Sequence, residues 1–137
     1  MRVKLDEGAI TPTRAHDTDA GADLYTPFEF WVEPNTSEVI NTGVHVELPH
    51  GHVGMIKSKS GLNVKHGILT EGVIDEGYDG PIVVKLYNFG TQAIHFEAGD
   101  KITQLVVMPC SYPTIEVVDE IDGGERGSNG FGSTGAN

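Results

Sequence analysis

Leu69-Thr-Glu-Gly-Val-Ile-Asp-Glu-Gly-Tyr-Asp-Gly-Pro-Ile-Val-Val-Lys-Leu-Tyr-Asn88 decides the fold class. Thr70-Glu71-Gly72 reads as a tight turn, because Gly72 tolerates the positive φ of a hairpin. Val73-Ile74 follows as a short strand, and Asp75 sits where that strand ends. Asp79-Gly80 is a second turn signal. Pro81 has no backbone donor, so it begins a strand or lies on an edge. Ile82–Tyr87 is β-branched and apolar enough for a buried strand. Two strands in twenty residues, separated by Asp and Gly, predict a β-rich chain. Asp75 and Tyr78 then stand on a rigid scaffold. Taken alone they also read as a turn residue and an edge cover, since Asp and Gly dominate turns.

The same rhythm runs outward in both directions. Arg2–Leu5 alternates as a first strand, and Thr11–Ala22 is a polar loop. Ala20–Tyr25 leads into a strand over Phe28–Val32. Glu38–Ile40, Val44–Leu48 and His52–Lys57 follow, separated by turns at Pro34–Thr36, Asn41–Gly43 and Pro49–Gly51. Ser60 caps the one convincing helix, which runs to about His66 and is ended by Gly67. Further strands are expected at Ala93–Phe96, at Lys101–Met108 with Ile102, Gln104, Val106 and Met108 on one face, and at Thr114–Val118. Short strands with turn residues between them predict an all-β sandwich or barrel. Residues 1–118 form the β domain. Residues 119–137 form a flexible Gly-rich C-terminal arm with no core of its own.

Bulk properties narrow the function. The chain has 137 residues, 18 glycines, 7 prolines and one cysteine, with a net charge of −11. That charge argues against nucleic acid or an anionic membrane as partner. A lone Cys110 excludes an intrachain disulfide and points to a reduced, cytoplasmic setting. The N-terminus lacks the apolar region of a signal peptide, and the apolar runs are too short for a membrane helix.

The chemistry-bearing residues lie at turns and in the tail. Arg126–Gly135 combines a cation, glycine amides, hydroxyls and Phe131, a set suited to polyphosphate and a flat base. A flexible tail is the ordinary reading of such composition, but a lone Phe131 has no reason to be there. Ser58-Lys59-Ser60-Gly61 is a second anion-binding candidate at a helix start. Gln104 is a polar group on an apolar face and needs a partner. Asp23 is a loop carboxylate, a turn former or a neighbour of a cation site. His50 and His52 lack the further ligands that a metal site needs. No Walker-type phosphate loop, Gly-x-Ser-x-Gly elbow or His-Glu-x-x-His pair is present.

Taken in chain order, five pieces resemble the trimeric dUTPases: Ala20–Leu24, Gly54–Leu62, Gly72–Gly80, Gly99–Leu105 and the Arg126–Gly135 tail. One position departs from the family pattern, where Lys59 replaces the usual arginine; lysine keeps the charge and loses the bidentate fork. The resemblance implies a jelly-roll-like distorted β-barrel of short antiparallel strands with one short helix, assembled as a homotrimer with shared sites. It implies hydrolysis of dUTP to dUMP and pyrophosphate, which limits uracil in DNA and supplies dUMP for dTMP synthesis. Asp75 is then the general base. Lys59, Ser60, Gly61 and Gln104 contact the phosphates, while Gly72, Val73 and Ile74 read uracil. Tyr78 lies under the deoxyribose, and Phe131 stacks on the base. Arg126, Gly132, Ser133 and Thr134 close over the γ end. Mg2+ is the cofactor, held mainly by phosphates, with Asp23 acting indirectly through water. Two alternatives remain at this point. One is a dCTP deaminase of the same fold, with Glu71 or Glu76 as its catalytic glutamate. The other is a non-catalytic nucleotide-binding regulator.

Overall fold

Antiparallel pairing organises the chain throughout. The computed structural model describes residues 1–131. Its strands are β1 (Arg2–Leu5), β2 (Gly21–Tyr25), β3 (Phe30–Val32), β4 (Ser37–Asn41), β5 (Val44–Glu47) and β6 (His52–Lys57). After the helix α1 (Ser60–His66) come β7 (Ile68–Leu69), β8 (Glu71–Ile74), β9 (Val83–Asn88), β10 (Ile94–Phe96) and β11 (Lys101–Pro109). The principal sheet has the order β2-β11-β6-β8, and a second has the order β4-β9-β7. The pairs β1-β5 and β10-β3 complete a jelly-roll-like distorted barrel. The core between the sheets is aliphatic, built on Leu24, Ile40, Ile56, Ile82, Leu86 and Leu105, all buried. Strand β9 shows how sequence makes this core: Val84, Leu86 and Asn88 point inward while Val83, Lys85 and Tyr87 point out.

Several expectations from the sequence need correction. Thr70-Glu71-Gly72 is not a turn. Gly72 lies inside β8 opposite Ile56, and a Cβ there would sit 3.4 Å from the Ile56 side chain. The chain instead switches sheets at Thr70, which the Ser58 hydroxyl fixes: it accepts the Thr70 N–H at 3.0 Å and donates to the Thr70 carbonyl at 3.2 Å. The tight reversal comes later, at Glu76-Gly77, where Gly77 has φ 90°.

The Ala20–Tyr25 segment is itself a strand from Gly21, and the next strand begins at Phe30 rather than Phe28. Backbone pairing with β11, not side-chain alternation, defines it, which is why a nearly all-buried Gly-Ala-Asp-Leu did not read as a strand. Ser60 is the first helical residue and not the cap. Lys59 occupies the cap position, and its side chain makes no capping hydrogen bond. Gly67 ends the helix in the left-handed conformation, φ 69°, as expected. Strand β11 carries a bulge between Lys101 and Thr103, so its inward face runs Thr103, Leu105 rather than continuing from Ile102. Thr114–Val118 forms no strand. Ile115 and Val117 are almost fully exposed, because no edge within the described chain pairs with them.

Candidate active site

One half of the site is a cluster of charge at the β2-β11-β6 end of the principal sheet. Asp23 sits opposite Gln104 on β11, and Gln104 sits opposite Lys57 on β6. The Asp23 side chain is only 7% exposed, yet both of its oxygens meet ammonium groups. Oδ1 pairs with Lys59 Nζ, and Oδ2 lies 3.2 Å from Lys101 Nζ. Burial pushes the Asp23 carboxyl up, but hydrogen bonds and charge from the two lysines outweigh it and hold it below the ordinary range. Two cations on one anion leave a net positive spot.

Gln104 shapes the wall beside this cluster. Its Nε2 donates to the Ser58 carbonyl at 2.9 Å, which fixes the turn from β6 into α1. Gly21 makes room for it: a Cβ there would fall 2.0 Å from Gln104 Oε1. Thr103 secures the same turn by donating to the Lys57 carbonyl at 2.8 Å. Ser60 and Gly61 are exposed at the start of α1, where the first-turn N–H groups have no intrahelical acceptor. Together these groups suit a phosphate chain.

The other half forms around Asp75, at the end of edge strand β8. The Tyr78 N–H donates to the Asp75 carbonyl at 3.1 Å, closing the turn. Tyr78 Oη then donates to the Pro81 carbonyl at 2.8 Å and lays the ring over Gly80. A Cβ at Gly80 would meet that hydroxyl at 2.5 Å, so any larger residue there would push the ring out of this position. Val73, Ile74, Asp75, Tyr78, Pro81 and Val83 line a hollow of about 260 Å3. Asp75 also faces a second cavity, with His52, Val53, Glu76, Cys110 and Tyr112.

The two halves do not meet within one chain. Asp75 follows Ile74, which is opposite Gly54, so it lies level with Val53 and Met108; Asp23 lies level with Gln104. The offset is four residues along β11 and three strands across, on the order of 15–20 Å. Arg126 Nη2 donates to the Gly130 carbonyl at 3.2 Å within the arm, and Phe131 is fully exposed. Gly132, Ser133 and Thr134 lie outside the described residues.

The family model described as dUTPase matches residues 7–135. The chain belongs to the dUTPase family. It is 42% identical to mouse deoxyuridine 5'-triphosphate nucleotidohydrolase over 98% of this chain and 84% of that protein. The Clostridium novyi enzyme of the same name is 43% identical, with 96% and 95% covered. The chain spans about half of the human mitochondrial relative, 54% of its length, at 43% identity. Among solved structures, a variant of the phage 80alpha dUTPase superimposes with a TM-score of 0.88 at 32% identity, covering 96% of both chains. Another, bound to dUpNHpp, gives 0.87 at 32% identity, with 98% of this chain and 97% of that one covered. A variant of the phage phi11 dUTPase, described with a structural Mg(II) ion, gives 0.80 at 30% identity over 87% of this chain and 96% of that one.

Family membership sharpens what sequence reasoning left without a role. Lys101 stood in the fourth motif with no function, although Asp100-Lys101 at the head of β11 placed a cation beside β2. Ser58 turns out to be a structural bolt and not an exposed hydroxyl. For Mg2+, the donor set is informative. Among the described residues no three His, Cys, Asp or Glu side chains converge as a cage. The Asp23 oxygens already hold two lysines. The residues present therefore do not fit a protein-held Mg2+; they fit an ion carried by the phosphates.

Proposed function

We infer that the protein is a dUTP diphosphatase that converts dUTP and water to dUMP and pyrophosphate, limiting uracil in DNA and supplying dUMP for dTMP synthesis. One observation carries this reading: Asp75 stands exposed at the rim of a hollow floored by Tyr78 and walled by the free edge of β8. An edge strand leaves every second backbone N–H and C=O unpaired. Along Gly72, Val73 and Ile74 the outward-facing ones of these groups pair with the uracil edge. Cytosine presents a donor where uracil presents an acceptor, which leaves buried groups unmatched at about 1–3 kcal/mol each. Tyr78, folded down onto Pro81, packs under the deoxyribose and leaves no space for a 2′-hydroxyl.

Asp75 accepts a proton from the water that attacks the α-phosphorus, a role worth about 10²–10⁴ in rate. The bond from the α-phosphorus to its bridging oxygen breaks, and pyrophosphate leaves. Lys59, Lys101, Gln104 and the amides of Ser60 and Gly61 neutralise and orient the phosphates. A substrate-borne Mg2+ would supply further charge neutralisation beside Lys59 and Lys101. Arg126, Phe131, Gly132, Ser133 and Thr134 belong to the arm that closes the site and excludes water.

The separation of the two halves supports a homotrimer with sites built from different copies. Exposed apolar residues such as Trp31, Val73, Phe89, Ile115 and Val117 supply surface for the assembly. A cytoplasmic location rests on the single cysteine. The deaminase alternative loses its glutamates. Glu71 pairs with Lys57 at 2.8 Å, and Glu76 is engaged by three groups.

Phosphorus NMR with dUTP, dCTP, dTTP and UTP and Mg2+ tests the reading. Pyrophosphate is expected from dUTP alone, and the Asp75→Asn variant should retain binding while turnover falls about 10²-fold or more. A near-normal rate in that variant removes Asp75 from the role; no pyrophosphate from dUTP refutes the function.

A further inference from the structure

Glu76 follows Asp75 in the chain, and its carboxylate does something that no other acidic group in the turn does. Oε1 accepts the Gly51 N–H at 2.6 Å and the Tyr112 hydroxyl at 2.6 Å. Oε2 lies 3.0 Å from His50 Nδ1. Three separate pieces of chain thus end on one side chain: the turn carrying Asp75, the β5–β6 turn, and the segment leaving β11. A backbone bond closes the ring, since the Cys110 N–H donates to the Gly51 carbonyl at 2.9 Å.

The strengths of the three contacts differ. His50 is 92% exposed, and an ion pair that open to water contributes little. The amide and the phenol make short bonds to a charged acceptor, the stronger class. They also hold Glu76 ionised: hydrogen bonds from Tyr112, Gly51 and His50 lower its carboxyl to about 2. The Tyr112 hydroxyl is raised by the same bond to Glu76.

The geometry points to Glu76 as a positioning residue for Asp75, tethering the catalytic turn to the root of the C-terminal arm through Tyr112. The Tyr78 N–H on the Asp75 carbonyl closes the turn, while Tyr78 Oη on Pro81 and His45 on Asp79 hold its later residues and leave the Asp75 side unanchored. The tether adds a fixed point one residue from Asp75. It also sets where the chain departs after β11, on its way to the arm residues from Arg126. Misplacing a reacting group by about 1 Å can cost about 10²-fold in rate. This inference rests on Asp75 being the base.

The test compares Glu76→Ala, Glu76→Gln and Tyr112→Phe in the full-length protein, with Asp75→Asn alongside. Steady-state kinetics on dUTP are combined with hydrogen exchange at the Tyr78 amide. Glu76→Ala should lower kcat about 10–100-fold with KM changed less than about threefold, and should speed Tyr78 exchange. Glu76→Gln should recover most of the rate, because its Oε1 still accepts both the Gly51 amide and the Tyr112 hydroxyl. Tyr112→Phe, which removes one oxygen, should fall between, and it decides the matter if Glu76→Ala does not fold. Unchanged kcat and unchanged exchange in Tyr112→Phe and a folded Glu76→Ala would overturn the tether. A Glu76→Gln as slow as Glu76→Ala would overturn it too, assigning the effect to charge. Faster exchange in Glu76→Ala with Asp75→Asn fully active would leave the tether standing and refute the role of Asp75 instead.

Discussion

Mixing two inactive variants offers the most direct view of how the site is assembled. Asp75→Asn removes the base, and Lys59→Ala removes a cation from the Asp23 cluster. The Lys59 ammonium is held on Asp23, and on one chain Asp23 and Asp75 are on the order of 15–20 Å apart, four residues along β11 and three strands across. A base reaches its proton directly or through one water, a span of roughly 3–6 Å. In the proposed composite site the two residues of a single chain serve different sites. In a cyclic trimer containing both variants, one site in three draws Asp75 from a Lys59→Ala copy and Lys59 from an Asp75→Asn copy. Random mixing makes three-quarters of trimers mixed, so co-refolding equal amounts should restore about one quarter of wild-type activity. Mixed trimers isolated with two affinity tags should show about one third. The assay is pyrophosphate release from dUTP with Mg2+ after co-refolding from urea, with each variant refolded alone as control. Activity no greater than the sum of the controls, in trimers shown by mass to be mixed, would refute the composite site.

Two further outcomes follow from the charged groups. Asp23→Asn keeps the shape but leaves two ammoniums without their anion. Charged hydrogen bonds set the scale, discounted for lysines 28% and 46% exposed, so the loss of stability should be about 2 kcal/mol. Urea unfolding at fixed protein concentration measures it, and a loss below about 0.5 kcal/mol would mean that the lysines do not rely on Asp23. His45 is a pH-sensitive link to the catalytic turn: Nδ1 meets the Asp79 carbonyl at 2.7 Å and Nε2 meets Asp6 at 2.9 Å. The Asp79 carbonyl, then Asp6, raise its pKa above 6.5, against burial and the charge of Lys4. A raised folded-state value means the stabilisation is complete below pH 6.5 and disappears as pH rises through the folded value. Stability should thus decline on the alkaline side, and His45→Gln should flatten that decline in urea midpoints measured from about pH 6 to 8.5. An unchanged slope would remove His45 from this role.

Much of the fold was legible because period-2 alternation and turn residues are local properties. Strands β1, β6 and β9 and the Gly67 helix stop follow from the residues within them. The misreadings share one cause, which is that pairing partners are not local. Gly72 looked like a hairpin glycine until Ile56 was found opposite it. Gly21–Tyr25 has little strand character until β11 runs beside it. Thr114–Val118 has the alternation of a strand, yet no strand among the described residues pairs with it.

The site divides in the same way. The sequence by itself determined the residue types: a carboxylate at a strand end, a tyrosine three residues on, cations and hydroxyls at a helix start, and a Gly-rich arm with one aromatic. Motif order alone fixed the family, since five spaced signals rarely coincide by chance. Only the tertiary structure decided who holds whom. It gave Asp23 to two lysines and not to a metal cage, and it recruited Lys101 from the head of β11. It bound Glu76 to Gly51 and Tyr112, residues 25 and 36 positions away. It also set Asp75 and the phosphate cluster at opposite corners of one sheet. Spacing along the chain carries no information on such distances, because strand register and sheet order are fixed by burial of the whole core.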